Sequence, residues 1–547
     1  MTDAALDPDD LKAAGKPDTP SQPGSPGGHV TASGEIDWIK IFLGFGGMVV
    51  GQFMATLDIQ IVASSLSQIQ AGIGASADEI SWVQTIYLLA EVVIIPLTAY
   101  LTKMWGTRPV YVFAAAGFIV TSILTGLSTS IEMMIVTRAL QGLTAGAMIP
   151  AVFATAMTVF PPEKRVMANV TVGLIVTLAP TIGPTLGGHL TEALNWRWLF
   201  FVNVPPGLLV MFLVGRYGDF DKGDPSLAKG IDWFGLFTMT VFLLTMQYVI
   251  EEGSSEGWFD DDLILWLTVT AVIAGVVFIW RQLTYHQPIV SLKPFRDRNF
   301  TLGFLMNAVS GMSLFGGTFI LPLFLGQIRQ YSAAEVGTTM LVSGLTMFLS
   351  APIVGRVVRL MDPRISLVAG FALAAYGVGL GVRVTAEWGF WEFAALQAIR
   401  GFGVMVAMIA AQALSVSTLP ISMMKDASGL VNLVRNVGGA IGLAILTTIL
   451  SDQTAVHLSE LSAAMSVSSL QGQDMLEGLT AMMDAQGLAN PEGAARKFLG
   501  MALRRDAAVL GFADGFYFLA LGCAVAALLG FLATPAKNTA PDGDGGH

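Results

Sequence analysis

Fourteen times along its length this sequence runs apolar for about the thickness of a lipid bilayer, and few folds can absorb such a pattern. The runs fall near residues 40–64, 79–101, 109–128, 132–157, 166–190, 197–216, 232–251, 261–284, 300–325, 335–359, 365–385, 391–416, 428–450 and 511–533. A helix needs ~20 mostly apolar residues to cross the hydrocarbon, because each backbone polar group must be satisfied inside the segment. The pattern predicts an all-α polytopic membrane protein with fourteen spans. Composition agrees, since 53% of the 547 residues are hydrophobic and only 13% are charged, against ~25% charged in soluble domains.

The net charge of −11 comes largely from tails and loops, and no basic run or face suggests a nucleic-acid partner. The single cysteine, Cys523, lies in an apolar run and offers neither a disulfide nor a cysteine metal site. Residues 1–36 are rich in Pro, Gly, Ser and Asp and have no apolar core before Trp38. They read as a disordered cytosolic tail rather than a signal peptide, and residues 535–547 read the same way.

An even number of spans puts both termini on one side. With the N-terminus inside, the short loops on that side carry most Lys and Arg, among them Lys40, Lys103, Arg108, Lys164, Arg165, Arg216, Lys293, Arg356, Arg364 and Lys425. The opposite short loops hold only Arg197, Arg329 and Arg383. That bias predicts cytosolic termini and a multi-pass bacterial inner-membrane protein. Two halves also repeat: PLTAYLTKMWGTR (96–108) and PIVGRVVRLMDPR (352–364) each end a span at the cytosolic face, and Gln141-Gly142 recurs as Arg400-Gly401. Spans 7 and 8 have no counterpart in either repeat. The expected plan is 6+2+6: a tail (1–37), a six-helix half (38–217), an inserted hairpin (218–298), a second six-helix half (299–534) and a tail (535–547). Transporters built from repeats bind substrate near the midplane between them.

No phosphate-cradling, zinc-protease or nucleophile-elbow motif is present, so no enzyme chemistry is expected and no cofactor. Uphill transport then has to draw on an ion gradient, and ionisable residues inside spans are the natural carriers, since each costs at least ~2.5–3.5 kcal/mol at the bilayer centre. Asp58 in span 1 is a proton acceptor or a counter-charge for substrate; the plainer alternative is a carboxylate locked in structural hydrogen bonds. Glu91 in span 2 is the second such carboxylate, and a polar crevice would account for it equally well. Arg138 in span 4 requires a carboxylate or carbonyls, with Asp58 and Glu91 both open as partners. Arg400 in span 12 and Arg435 in span 13 raise the same question, Arg435 also reading as a staple near the cytosolic surface. In span 5, Ala179, Gly183 and Gly187 share one helix face, with Pro180, Pro184 and Gly188 in a row beside it; small residues at this spacing allow close helix approach. The 26 Met and 32 Phe suit loosely specific apolar binding.

Together these residues resemble the major facilitator superfamily, specifically its fourteen-spanner drug:proton antiporters. LDIQIV (57–62) resembles the span 1 signature, IPLTAYLTKMWGTR (95–108) the cytosolic loop motif with Lys103, Gly106 and Arg108, Arg138-Ala-Leu-Gln141-Gly142 the span 4 motif, and GPTLGG (183–188) the antiporter motif. WRWLFFVNVPPG (196–207), IDWFGL (231–236) and RNVGGAIG (435–442) follow the same family. The loop motif's usual acid is Lys103 here and its leading glycine is Ala99. The lysine variant and the long stretch 451–510 look most like the subgroup that works with a periplasmic adaptor and an outer-membrane channel. The resemblance implies proton-coupled export of hydrophobic drugs, with Asp58, Glu91, Arg138, Gln141 and Arg400 in coupling or substrate contact. The alternative is a transporter of one metabolite, lipid-like compound or siderophore on the same fold. Within 451–510, amphipathic pieces at 473–483 and 491–503 suggest a helical hairpin meeting the adaptor.

Overall fold

Each of the apolar runs is helical in the computed structural model, which describes residues 37–534 except 64, 332, 466–469 and 487–489. The two tails, 1–36 and 535–547, lie outside the described residues. Numbered in chain order, the long helices are α1 (Trp38–Ala63), α2 (Trp82–Trp105), α3 (Thr107–Gly126), α4 (Ile131–Val159), α5 (Pro162–Ala193), α6 (Val204–Tyr217), α7 (Trp233–Glu252), α8 (Asp262–Thr284), α9 (Arg298–Gln327), α10 (Ala333–Leu360), α11 (Pro363–Gly379), α12 (Phe390–Val416), α13 (Met424–Ala464) and α14 (Pro491–Gly530). Among the described residues, thirteen helices are long and apolar enough to cross a membrane, α6 being counted together with the short helix Trp198–Phe201 before it. The remaining one is α5, 32 residues long and rich in Thr, Gly and Pro.

Short polar residues start many of these helices. The side chains of Ser130, Asp232, Asp261, Asp297 and Asn490 accept hydrogen bonds from the backbone N–H groups that α4, α7, α8, α9 and α14 leave unpaired. Asp362 does the same for α11, and the Arg364 guanidinium beside it holds its carboxyl below the usual range.

The internal repeat is visible in the packing. In the first half α1 packs on α4, α5 and α6, α2 on α4, and α3 on α4 and α6; in the second, α9 packs on α12, α13 and α14, α10 on α12, and α11 on α12 and α14. The halves meet through two equivalent sets of contacts, α5 on α10 and α12, and α13 on α2 and α4. Helices of the expected hairpin, α7 and α8, pack on each other, and α7 rests on α2 and α13. Glycines bring the backbones close where this packing is tightest: a Cβ on Gly370 would fall 2.5 Å from the Ala407 nitrogen of α12.

One expectation needs revision. Residues 451–510 are not a loop between spans at 428–450 and 511–533. Instead α13 continues to Ala464 and α14 begins at Pro491, 41 and 40 residues respectively, or roughly 60 Å each at 1.5 Å per residue, about twice the hydrocarbon thickness. The two helices pack on each other and His457 of α13 meets Asp514 of α14 at 2.8 Å. A helix at Leu470–Ala485 packs along α14. The projecting part is helical, as the amphipathic pieces suggested, but it is an extension of the membrane helices.

Candidate functional site

Asp58 sits in the last third of α1, fully buried, and Arg138 of α4 is its partner: Nη1 lies 2.5 Å from Asp58 Oδ2. The second carboxylate oxygen accepts from Asn203 Nδ2 at 2.7 Å and Gln141 Nε2 at 3.2 Å. Arg138 also donates to Gln141 Oε1 (2.9 Å) and the Val83 carbonyl of α2 (3.0 Å), and its guanidinium lies 4.2 Å from the Tyr87 ring centroid. Gln141 is tied in turn to Ser122 of α3. One acid thus joins α1, α4 and the start of α6, and its guanidinium adds α2. Of the two partners that remained open for Arg138, the structure selects Asp58 over Glu91. Asn203, Ser122 and Tyr87 were missed; Asn203 stands in the quoted WRWLFFVNVPPG, which was the available signal.

Glu91 faces elsewhere. A cavity of about 260 Å³ opens between the halves, lined by side chains from α1, α2, α4, α7, α9 and α13, including Gln52, Glu91, Glu251, Phe315, Phe319 and Arg435. Glu91 is 4% exposed; Asn436 Nδ2 approaches its Oε1 at 3.4 Å, and Oε2 has no hydrogen-bond partner among the described residues. Both amide atoms of the buried Gln52 are also without one. Such groups are costly to leave unpaired, and a cavity that admits water or ligand supplies what is missing. Asp58 does not line this cavity, yet Gln52, Thr56 and Gln60 of the same helix do.

Arg400 and Arg435, the two guanidinium groups buried in the second half, have no carboxylate partner among the described residues. Arg400 is buried among Gln397, the Ser343 hydroxyl and the Ser313 carbonyl. The Arg-x-x-Gln order of α4 is reversed in α12, Gln397-x-x-Arg400, and α12 lacks an acid opposite it among the described residues. Arg435 is 3% exposed, bonds Gln412 at 3.2 Å and lies 4.8 Å from the Phe153 ring centroid while lining the cavity. It is therefore a central residue, not a surface staple.

At the end of the bundle carrying the termini, Lys103 Nζ lies 2.6 Å from both carboxylate oxygens of Asp426, at the start of α13. Asp426 is 6% exposed. Where the motif's usual acid is replaced by Lys103, the lysine finds an acid on the opposite half, making an ion pair across the halves. At the position of the leading glycine, Ala99 of α2 lies 3.5 Å from where a Cβ on Gly429 of α13 would stand. A second pair joins Lys425 to Asp221, which also accepts from the Thr107 backbone and hydroxyl at the start of α3. Gly106 has φ +87°, a backbone that side chains rarely adopt, pressed against Asp221 and Gly223. Arg108 is exposed and makes no ion pair among the described residues.

Along α5, Ala179, Gly183 and Gly187 are buried, whereas Gly188 is partly exposed with open space where a Cβ would point. The side chains of Pro180 and Pro184 lie outside the described residues. Gly183 packs against Gln60 of α1, within its own half; α5 touches the opposite half at Thr185 against Gly337 and Val170 against Gly355, both of α10, and at Gly173 against Met408 of α12.

Two six-helix repeats around a central cavity, with a buried acid–guanidinium pair and a cross-half ion pair at one end, define a secondary transporter rather than an enzyme. The chain belongs to the Major Facilitator Superfamily, whose model matches residues 48–443. It is 37% identical over 505 residues to the colistin resistance protein EmrB of Acinetobacter baumannii, covering 92% of this chain and 98% of that one. It is 31% identical over 438 residues to the multidrug export protein EmrB of Escherichia coli K12, covering 78% and 84%. Among solved structures, the human organic anion transporter MFSD10 aligns with a TM-score of 0.51 at 12% identity, covering 88% of this chain and 99% of that one, a likeness of fold.

Proposed function

We propose that this protein is a proton-driven antiporter exporting hydrophobic or amphipathic toxic compounds across the bacterial inner membrane, with both termini in the cytosol. The observation that carries the reading is the Asp58–Arg138 pair, an intramembrane acid whose three donors come from α4 and α6. An ionised Asp58 holds these helices together. Protonation removes the charge that Arg138 and the two amides address, releasing the latch. Because α1 carries Asp58 on one face and the cavity-lining Gln52, Thr56 and Gln60 on another, occupancy of one site is felt at the other without the two sharing an atom. Glu91 and Arg435 meet the substrate, Arg400 braces the second half, and the Lys103–Asp426 pair closes the cytosolic end.

The relatives named for multidrug export and colistin resistance support efflux as the direction. The projecting ends of α13 and α14 would dock a periplasmic adaptor that leads to an outer-membrane channel. A second reading, carriage of one polar metabolite, draws on the amides of Gln60, Gln84, Gln247 and Asn432 in the cavity wall. A substrate panel in proteoliposomes under an imposed pH gradient tests both. Antiport expects several unrelated amphiphiles to move against their gradients with proton counterflow. Transport indifferent to collapse of the pH gradient would refute it.

A further inference from the structure

We propose that Glu251 of the inserted hairpin acts with Glu91 as a substrate-selecting carboxylate, making the central cavity selective for aromatic or amphipathic cations. This rests on the cavity being the substrate site. Helix α7 belongs to neither repeat, yet it does more than cover their outer surface: it wedges against α2 and α13, and Gln247 and Glu251, one turn apart on it, both line the cavity. The adjacent acid Glu252 is engaged differently, accepting from the Thr85 hydroxyl at 3.0 Å, and does not line the cavity.

The charges facing the space are two carboxylates, Glu91 and Glu251, against one guanidinium, Arg435. Arg435 has the Gln412 carbonyl oxygen and the Phe153 ring, while its buried Nε has no acceptor among the described residues. Among the described residues, Glu91 has a buried oxygen with no donor, and Glu251 has a 3.4 Å contact from Gln247 as its one hydrogen bond. With two carboxylates facing one guanidinium, the balance of charge in this cavity favours a positive ligand. Phe315 and Phe319 add aromatic surface to the same wall, which suits a cation bearing aromatic groups, since ring faces attract positive charge.

The test is equilibrium binding to the purified full-length protein of tetraphenylphosphonium and its equal-sized anion tetraphenylborate. Wild type is expected to bind the cation at least about tenfold more tightly, the preference a close carboxylate in a partly desolvated site supports. Glu251→Gln and Glu91→Gln should each lower cation affinity about tenfold and leave the anion unchanged or improved. Glu252→Gln, which removes the neighbouring acid that does not line the cavity, should stay near wild type. Equal affinity for the two probes, an unaltered cation affinity in Glu251→Gln, or an equal loss in Glu252→Gln overturns the proposal. Proton-driven transport of tetraphenylphosphonium and of an uncharged amphiphile by wild type is measured alongside. Absence of both refutes the antiporter reading, whereas proton-driven transport with no charge preference in binding refutes only the cation selectivity.

Discussion

Replacing Lys103 by alanine should open the cytosolic end of the transporter. The ammonium is 31% exposed at its side chain and Asp426 is 6% exposed, with both carboxylate oxygens 2.6 Å from Nζ. Exposed pairs are worth ~0.2–1 kcal/mol, and removing one partner of a fully buried pair costs ~3–5 kcal/mol. A pair with one buried and one half-open member falls between, at ~2 kcal/mol. The pair exists only while α2 and α13 touch, so the loss acts on the closed state and raises the open population by about 30-fold. Cys523 is fully buried, which leaves an introduced cysteine as the reactive thiol. Ala99→Cys places one directly beneath the ion pair, against Gly429. Its maleimide labelling rate should rise by about 30-fold in Lys103→Ala, in proportion to the open population. The charge-swapped Lys103→Asp with Asp426→Lys should restore slow labelling. If Lys103→Ala labels at the wild-type rate, or the swap fails to protect, the pair does not hold this end shut.

Asp58→Asn leaves Arg138 buried without a counter-charge, at a cost of ~3–5 kcal/mol; insertion checked by gel filtration should persist at reduced yield while pH-driven transport is abolished, and wild-type rates in that variant would remove Asp58 from coupling. Gly183→Leu forces a side chain into Gln60 of α1, an overpacking of ~1–3 kcal/mol expected to give inactivity or proton leak, read as pH-gradient decay in vesicles; an unaltered exporter would make the motif ordinary packing. Replacing residues 455–505 by a Gly/Ser linker should leave proteoliposome transport intact and remove drug resistance in cells, and resistance that survives the change argues against a docking role for the projecting helices.

Chain order and local hydropathy determined where the fourteen helices run, that they form two repeats with a hairpin between, and that Asp58, Glu91 and Arg138 stand inside the membrane. This much is legible because crossing a bilayer sets a fixed length and polarity for each segment, and both are local properties. The ends of α13 and α14 were not legible: past the bilayer a helix has no apolar run to mark it, and 451–510 resembled a loop. Pairing was hidden for a different reason. Lys103 and Asp426 are 323 residues apart, and no spacing rule links them. Only the approach of α2 to α13 shows that Lys103 meets an acid across the halves, and that Ala99 packs against Gly429. Arg138 had two acids within reach by depth, and the packing of α1 against α4 chose Asp58, leaving Glu91 to the cavity. By sequence Arg435 reads as a candidate staple near the cytosolic surface and Glu251 draws no reading at all; the tertiary structure turns both toward the space between the halves, because which way a helix faces is decided by its neighbours and not by its own hydropathy.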